Sequence, residues 1–326
     1  MYLTCTFSTS FSLKTQQLHL DLKAVTQDLF NLLFTVLSMV KQDCITSKSQ
    51  QLLNTLSTMN SISIDTLYEQ NLPQLFSNLS DNNSWTVHSP DFEIFSSSFI
   101  YVKQLLLSNI KITFPILKET ISIKREPELR LKLYILLAQY FEKLPLNETM
   151  DSEYCDQFLE HCILSNLIWS AGRSAEAVRT ACVCCLCTFL DKYSEYSQEL
   201  SKAMKFEAVS TILDKIVPIL LSLAEENSTK TRFYSIRALY LVTLVKKQYD
   251  YSQDDCVNKI FPVLLKRLDD GSDDVRVIAL EALTEVFRGV SEKYDVKFNR
   301  GLVDALYTTV VIYLDDPDDQ FQEKVL

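Results

Sequence analysis

The sequence predicts an all-α fold in which antiparallel helix pairs stack side by side as an α-solenoid, and three observations lead to this prediction. One complete helix–turn–helix unit occupies residues 257–290, and weaker copies of it recur along the chain. The 326 residues include only 4 glycines, against an average use of about 7%. So few glycines argue against sheet-rich folds, which need many tight turns, and against glycine-rich phosphate-binding loops.

The complete unit combines two amphipathic helices with an acidic turn at 269–274. Apolar residues recur in both halves at the spacing of a helix with a wide apolar stripe. The first stripe consists of Val257, Ile260, Phe261, Leu264, Leu265 and Leu268, and the second of Val275, Ala279, Ala282, Leu283, Val286, Phe287 and Val290. Because one pair cannot bury both stripes, it must stack on copies of itself.

Two marks align the copies, namely a proline in the first helix and an arginine near the start of the second. Three copies carry both marks, Pro115 with Arg130, Pro218 with Arg232 and Pro262 with Arg276, and a fourth carries Arg179 alone. Their spacing is near the roughly 40–47-residue period of HEAT and armadillo arrays, and the Asp-Val-Arg junction favours HEAT. We therefore expect a superhelical HEAT-repeat array over 61–326, with units near 61–107, 110–145, 155–192, 210–247, 256–290 and 302–326, the last truncated.

The N-terminal segment 1–60 is less regular and is expected to be helical but outside the array. Residues 18–40 have helical periodicity, yet polar residues interrupt the stripe, so it is too polar to span a bilayer. Residues 1–12 lack the pattern of a secretory signal. The odd count of 9 cysteines fits a reducing compartment. These features together predict a cytoplasmic protein.

Four cysteines cluster on one predicted helix, at positions 182, 184, 185 and 187. A zinc site requires ligands that converge from different elements, whereas Cys182 and Cys185 share one helical face and match the packing positions Ala279 and Ala282. We therefore interpret the cluster as reduced packing residues, with metal or redox chemistry as the alternative. No catalytic motif or cofactor-binding motif is present, so no enzyme and no cofactor are predicted.

Charge is concentrated in the C-terminal quarter, where residues 250–326 hold 17 acidic and 9 basic side chains. Eight of these carboxylates lie in the turns at 269–274 and 315–319. They can cap the following helices, since carboxylates at a helix N-terminus meet free N–H groups and the positive end of the helix dipole. Alternatively they form an acidic ridge for a basic partner. The acidity argues against nucleic acid, whose binding depends on basic contacts to phosphates.

Several segments resemble one known family. The run from Asn166 to Ala181, with its Trp169-Ser-Ala-Gly-Arg173 core, is the most specific, and 128–133, 262–276 and 313–317 agree in register. On these residues the chain resembles the C-terminal half of the HEAT-repeat axonemal dynein preassembly factors, the dynein axonemal assembly factor family. The resemblance runs from about Leu72 to the end of the chain.

The resemblance implies a non-enzymatic scaffold for the cytoplasmic preassembly of outer and inner dynein arms, which motile cilia need. The implied partners are axonemal dynein subunits, intermediate and heavy chains among them, together with chaperones, co-chaperones and other assembly factors. Neither nucleic acid nor a membrane is expected. The alternative is a general HEAT-repeat adaptor, such as a transport receptor or a phosphatase scaffold.

In arrays of this kind the second helices line the concave side, so partner contacts are expected from their exposed polar residues and from the junction loops. Trp169 and Arg173 are the strongest candidates, with core packing as the alternative for Trp169. Weaker candidates on a second helix are Glu281, Glu285 and Arg288. We also expect a structural ladder, meaning a series of junction arginines that pair with junction acids, from Arg130, Arg179, Arg232, Arg276 and Asp274.

Overall fold

The computed structural model describes residues 22–79, 81–145, 150–194, 206–246, 254–290 and 294–325, and in these ranges every regular element is a helix. The helices form two compact units, Met1–Thr120 and Ile121–Leu326. The predicted all-α solenoid of stacked helix pairs is therefore confirmed. The expected helix start at 18 and the segment 1–12, where a secretory signal would lie, are outside the described ranges.

In the described part of the first unit, the first helix pair lies outside the array that the sequence pattern predicts. The helices of this unit are α1 (residues 22–39), α2 (Asp43–Met59), α3 (Ile64–Ser77), α4 (Pro90–Tyr101), α5 (Leu105–Ser108) and α6 (Ile110–Thr120), with a 3₁₀ turn at Asn82–Ser84. The Thr26 hydroxyl in α1 donates to the Asn60 side chain just after α2, at 3.3 Å. The start of α1 thus lies beside the end of α2, and the two helices run antiparallel.

Aromatic side chains hold α1 against α3. The rings of Phe30 and Phe34 lie with centroids 5.9 and 6.0 Å from the ring of Tyr68, which they meet edge-on. Such edge-to-face geometry is the favoured arrangement of aromatic pairs. Helix α3 begins where Ser63 accepts a hydrogen bond from the Thr66 N–H at 3.0 Å, a standard N-cap.

Within the described ranges, the second unit contains four further first helices and five second helices. The first helices are α8 (Ser152–Gln157) continuing through a π-helical segment Phe158–Leu164 into α9 (Ser165–Leu167), then α11 (Phe206–Ser210) continuing through Thr211–Ile216 into α12 (Val217–Leu223), then α14 (Asp254–Arg267) and α16 (Arg300–Tyr313). The second helices are α7 (Pro127–Lys143), α10 (Arg173–Ser194), α13 (Thr229–Lys246), α15 (Asp273–Arg288) and α17 (Asp319–Val325).

The second helices pack on one another in chain order and form one layer. Helix α7 packs on α10, α10 on α13, and α13 on α15, while the two π-helical segments contact each other in the opposite layer. Consecutive second helices run in the same direction: Phe189 and Lys192 near the end of α10 contact Phe141 and the Leu144 carbonyl at the end of α7. Likewise Thr180 and then Cys187 of α10 contact Thr231 and then Tyr234 of α13.

Both predicted stripes of the unit 257–290 face the core. All of their members are buried except Phe287 and Val290, which are half-buried near the end of α15. Between repeats the core is aromatic. Phe189 of α10 is 1% exposed, with ring centroids 5.3 Å from Phe141 of α7 and 5.1 Å from Phe158 of the π-helical segment.

The marker prolines occupy two different environments. Pro115 and Pro262 lie inside α6 and α14, whereas Pro218 is in the first turn of α12, directly after the π-helical segment Thr211–Ile216. A proline inside an α-helix sets its ring against the carbonyl four residues before it, which is that of Asp214 for Pro218. A π-helical turn is wider than an α-helical one, so it relieves this contact.

Candidate functional site

The four ladder arginines connect successive repeats of the second unit. Each lies in the first two turns of a second helix, where its guanidinium reaches two junctions. One side donates to a backbone carbonyl in the preceding junction of its own repeat, and the other side meets a polar side chain of the next repeat. The next-repeat partners are Asn166 for Arg130, Glu226 for Arg179, Asp270 for Arg232 and Asp316 for Arg276.

Arg232 forms the best-defined contact of the ladder. Its Nε and Nη2 donate to the two carboxylate oxygens of Asp270, each at 2.7 Å, and its Nη1 donates to the carbonyls of Glu226 and Asn227 at 3.0 and 2.8 Å. The Asp270 side chain is 2% exposed. This paired fork geometry is the strongest form of a carboxylate–arginine contact. The hydrogen bond to Asp270 raises the pKa of Arg232.

The acceptor in the next repeat is a neutral amide for Arg130 and a carboxylate for the three later arginines. Arg130 donates to the Asn166 side chain at 2.7 Å, a partner without charge, and burial lowers the pKa of Arg130. Arg179 is 4% exposed and pairs with the Glu226 carboxylate at 3.1 Å. Arg276 pairs with Asp316, and its guanidinium carbon lies 4.2 Å from the ring centre of Phe321.

Asp274 does not contribute to the ladder in the way the sequence suggests. It is exposed in the first turn of α15, where it complements the helix dipole. The acidic partner at this junction is Asp270, which also accepts a hydrogen bond from the Ser272 N–H at 3.1 Å. Within the acidic turn, buried Asp270 therefore pairs with an arginine of the preceding repeat, whereas Asp273 and Asp274 are exposed at the start of α15.

Acid is expected to weaken the contact at Asp270. Burial alone raises the pKa of this carboxyl, but hydrogen bonds from Arg232 and from the Ser272 N–H outweigh burial, so the pKa lies below its usual value. A carboxyl whose pKa falls on folding contributes stability above its unfolded pKa of about 3.9 and loses it as the pH falls through the folded pKa. The difference in unfolding free energy between the wild type and Asp270→Asn, measured by urea denaturation, should therefore shrink from pH 7 to pH 3. A difference independent of pH would contradict an ionised Asp270.

Trp169 and Arg173 lie on the surface of the junction before α10. Trp169 is 66% exposed and the neighbouring Ile168 is 60% exposed, so Trp169 is not packed in the core. Arg173 is exposed at the start of α10. The adjacent junction carries Ile123, also 60% exposed, and exposed Lys124. The two junctions are tied together, because the Asn166 side chain of one donates to the Ile121 carbonyl of the other at 3.1 Å.

These two junctions expose large apolar side chains, which the three that follow replace with pairs of carboxylates, although exposed Glu126 also lies just before α7. We call Ile123, Lys124, Ile168, Trp169 and Arg173 the apolar–basic edge. The junctions after α12, α14 and α16 instead carry the carboxylates Glu225, Glu226, Asp269, Asp270, Asp315 and Asp316. Three large apolar side chains, those of Ile123, Ile168 and Trp169, are exposed on these two junctions, and exposed apolar surface of this kind indicates a candidate contact site. The sequence indicates Trp169 but gives no sign of Ile123 and Ile168, because their exposure depends on packing.

Gly172 sets the path of this edge into α10, with a φ of +109°. Gly172→Ala is expected to lower the unfolding free energy by about 1–2 kcal/mol, because residues with a Cβ rarely adopt positive φ. A Cβ at Gly172 would meet no atom within 4 Å, and the same holds at Gly271, whose φ is not positive. Gly271→Ala is therefore the matched control, expected to change stability by no more than about 0.5 kcal/mol. Equal effects in thermal denaturation would exclude backbone strain at Gly172.

The second group of candidates lines a cavity of 260 Å³ at the end of the second-helix layer. Glu281, Glu285 and Arg288 of α15 meet Tyr240 of α13 and Lys324 of α17 there. Glu285 is not the exposed contact residue that the sequence predicts, because it is 8% exposed and forms an ion pair with Arg288. Glu281 is exposed and lies 3.4 Å from the Lys324 ammonium. Arg288 is exposed.

Two members of the cysteine cluster are buried in the core, and the other two, Cys184 and Cys187, line a cavity of 470 Å³ between α7, α10 and α13. Cys182 and Cys185 are fully buried free thiols, as the packing interpretation predicts, and burial raises the pKa of Cys182 to about 12. Cys184 is half-buried, and burial raises its pKa as well. Within the described ranges no group of His, Cys, Asp and Glu is placed to hold a metal ion. Nor does any helix in those ranges have the length and apolarity to cross a membrane.

Comparison with known proteins places the chain among helical repeat proteins. A family model for the HEAT repeat matches residues 260–290, the unit that the sequence defines most clearly. A solved designed armadillo repeat protein shares 14% sequence identity, with a TM-score of 0.52 over 78% of this chain and 96% of that one. This likeness shows the fold alone.

Two curated relatives confirm the resemblance found in the sequence. A Xenopus laevis protein named Dynein axonemal assembly factor 5 is 31% identical over 94% of this chain and 36% of its own length. The human protein of the same name is 27% identical over 94% of this chain and 35% of its own length. The chain thus spans about a third of the length of these relatives.

Proposed function

We propose that this chain acts as a non-enzymatic scaffold in the cytoplasmic preassembly of axonemal dynein arms, outer and inner, for motile cilia. The observation that carries the proposal is the similarity to curated dynein axonemal assembly factors over 94% of the chain. A helical repeat solenoid suits the role, because its stacked repeats present an extended surface on which partners bind side by side.

The partners that we propose are dynein subunits, intermediate and heavy chains, bound together with chaperones, co-chaperones and other assembly factors. The apolar–basic edge is the surface that we assign to a dynein subunit. Trp169 supports this assignment, because tryptophan and arginine are enriched among the residues that dominate binding energies, and Trp169 and Arg173 both stand exposed on this edge. Exposed Arg288 and Glu281 belong to a second, weaker candidate surface.

The proposal is tested by affinity purification of the tagged chain from cells that are building motile cilia, read by quantitative mass spectrometry. We expect enrichment of axonemal dynein intermediate and heavy chains together with chaperones. Recovery of transport factors or phosphatase subunits without axonemal dynein would support the general adaptor instead. A tagged chain of similar size from an unrelated helical repeat protein controls for non-specific capture.

Trp169→Ala and Arg173→Ala are each expected to weaken capture of the dynein subunit by about tenfold, since truncating a contact residue of this type costs more than about 1 kcal/mol. Both side chains are exposed, so the melting temperature should stay near that of the wild type. Binding and thermal stability are measured on the same preparations. An equal loss of both would make these residues structural. Lys259→Ala, at an exposed position of the first helix α14, controls for a general effect of charge.

A further inference from the structure

Helix α1 carries two apolar faces, and only one of them is buried. The buried face consists of Phe30, Phe34 and Leu37, which are at most 2% exposed. The other face consists of six aliphatic side chains, Leu22, Val25, Leu29, Leu32, Val36 and Met39. Val36 is half-buried, and the other five are 43–61% exposed. We call these six residues the α1 seam.

The α1 seam has the spacing of a coiled coil. Its members lie alternately three and four residues apart, so they occupy positions a and d of successive heptads. From Leu22 to Met39 the seam is about 25 Å long, at 1.5 Å per residue. A straight apolar seam of this length is the shape against which a second helix packs.

The position of the seam is unusual for a helix on a protein surface. Such a helix ordinarily carries polar and charged side chains opposite its buried face. On α1 the seam lies on roughly the opposite side from Phe30 and Phe34, because side chains follow one another at about 100° around a helix. Exposed apolar surface arranged in this way indicates a contact site.

The residues beside the seam carry little charge that would select a different protein. Positions e and g next to a coiled-coil seam set the choice of partner. Along α1 these positions hold Thr26, Asp28, Leu33, Thr35 and Val40, of which only Asp28 is charged. When two copies of α1 pair, Asp28 faces Leu33 in a parallel arrangement and Thr35 in an antiparallel one. Like charges therefore do not meet, and pairing of the seam with itself is not opposed.

The seam also matches itself in side-chain size. Parallel copies place each member against the same residue of the other copy. Antiparallel copies align layer by layer about the midpoint of the seam, as Leu22 with Met39, Val25 with Val36 and Leu29 with Leu32. In both directions valine meets valine and the longer side chains meet each other, so the layers fill evenly.

We propose that this chain forms a two-fold symmetric dimer in which the α1 seam of one copy packs along the α1 seam of the other. A symmetric contact of this kind uses the same residues on both copies and closes after two. It involves neither a dynein subunit nor the apolar–basic edge. The dimer can therefore fail while the proposed function stands, and the reverse also holds.

Sedimentation velocity of the whole chain, from low to high micromolar concentration, tests the proposal. A seam one helix wide buries less than the roughly 1,600 Å² of a standard interface, so we expect a reversible monomer–dimer equilibrium in this range. Leu32→Ala should weaken dimerisation by about tenfold or more, because each dimer loses two leucine side chains from its contact. Leu32→Glu should prevent dimerisation, because it places a charge in an apolar contact without a partner.

The matched control is Ile135→Ala, which truncates an aliphatic side chain of similar exposure, 47%, on α7 and should leave dimerisation unchanged. Leu32 is 61% exposed, so its variants should fold, with melting temperatures near that of the wild type. Hydrogen exchange locates the contact, since amides of 22–39 should exchange more slowly in concentrated than in dilute protein. A monomer at every concentration, a dimer unaffected by Leu32→Glu, or protection confined to other helices would each overturn the proposal.

Discussion

Arg232→Ala is expected to lower the free energy of unfolding by about 3 kcal/mol, because removing one partner of a buried ion pair leaves the other charge poorly compensated. Asp270, whose side chain is 2% exposed, would keep Arg267 as a cationic partner only at the longer distance of 3.3 Å. The variant also leaves the carbonyls of Glu226 and Asn227 without their donor. Urea denaturation followed by circular dichroism measures the loss. Hydrogen exchange should place the loosened amides at the junctions before α13 and α15.

The control for this prediction is Arg173→Ala, which removes an exposed arginine from the start of a second helix. It should change stability by no more than about 0.5 kcal/mol. Combining Arg232→Ala with Asp270→Ala should restore part of the loss, since the poorly compensated charge is then absent. If Arg232→Ala costs no more than Arg173→Ala, the ladder does not stabilise the array.

Phe189→Ala should destabilise the chain by about 4 kcal/mol, the usual cost of truncating a fully buried phenylalanine. Three rings surround Phe189, those of Phe141, Phe158 and Tyr193, with centroids 5.1 to 5.3 Å away. The ring joins α7, the π-helical segment and α10, so its loss opens a cavity between two repeats. The unfolding free energy is measured by urea denaturation.

Phe189→Leu is the matched control, with an expected cost of about 1.5 kcal/mol because it keeps most of the apolar volume. Similar losses for the alanine and leucine variants would mean that the site collapses around the missing ring. In that case the aromatic cluster is not the rigid connection between repeats that its geometry indicates.

Periodicity in the sequence predicts the fold well where repeats are regular. In the unit 257–290 the apolar positions are set by a helix facing a layer of similar helices, so sequence spacing and burial agree. The sequence does not identify the pair α1 and α2 as a repeat, because this pair carries neither the proline nor the arginine that marks the later copies. Its packing depends instead on contacts of Phe30 and Phe34 with Tyr68, between residues more than thirty positions apart.

The candidate residues are harder to place, because exposure depends on neighbouring repeats. Trp169 is apolar yet exposed, and Glu285 is charged yet buried beside Arg288. The cavity between α7, α10 and α13 cannot be predicted at all, since it arises from short side chains meeting across helices. The acid that pairs with Arg232 is Asp270 rather than Asp274, a distinction that depends on how the turn bends.

The arginine ladder also defines how such an array can lengthen. Each guanidinium serves its own junction and the next one, so a duplicated repeat that carries both an arginine and a junction acceptor fits between its neighbours without orphaning a charge. An insertion or deletion that breaks a repeat in the middle leaves a guanidinium without an acceptor, or an acceptor without its guanidinium. The ladder is therefore compatible with the insertion of complete repeats. A designer could lengthen the array between Glu226 and Asp270 by copying one complete repeat.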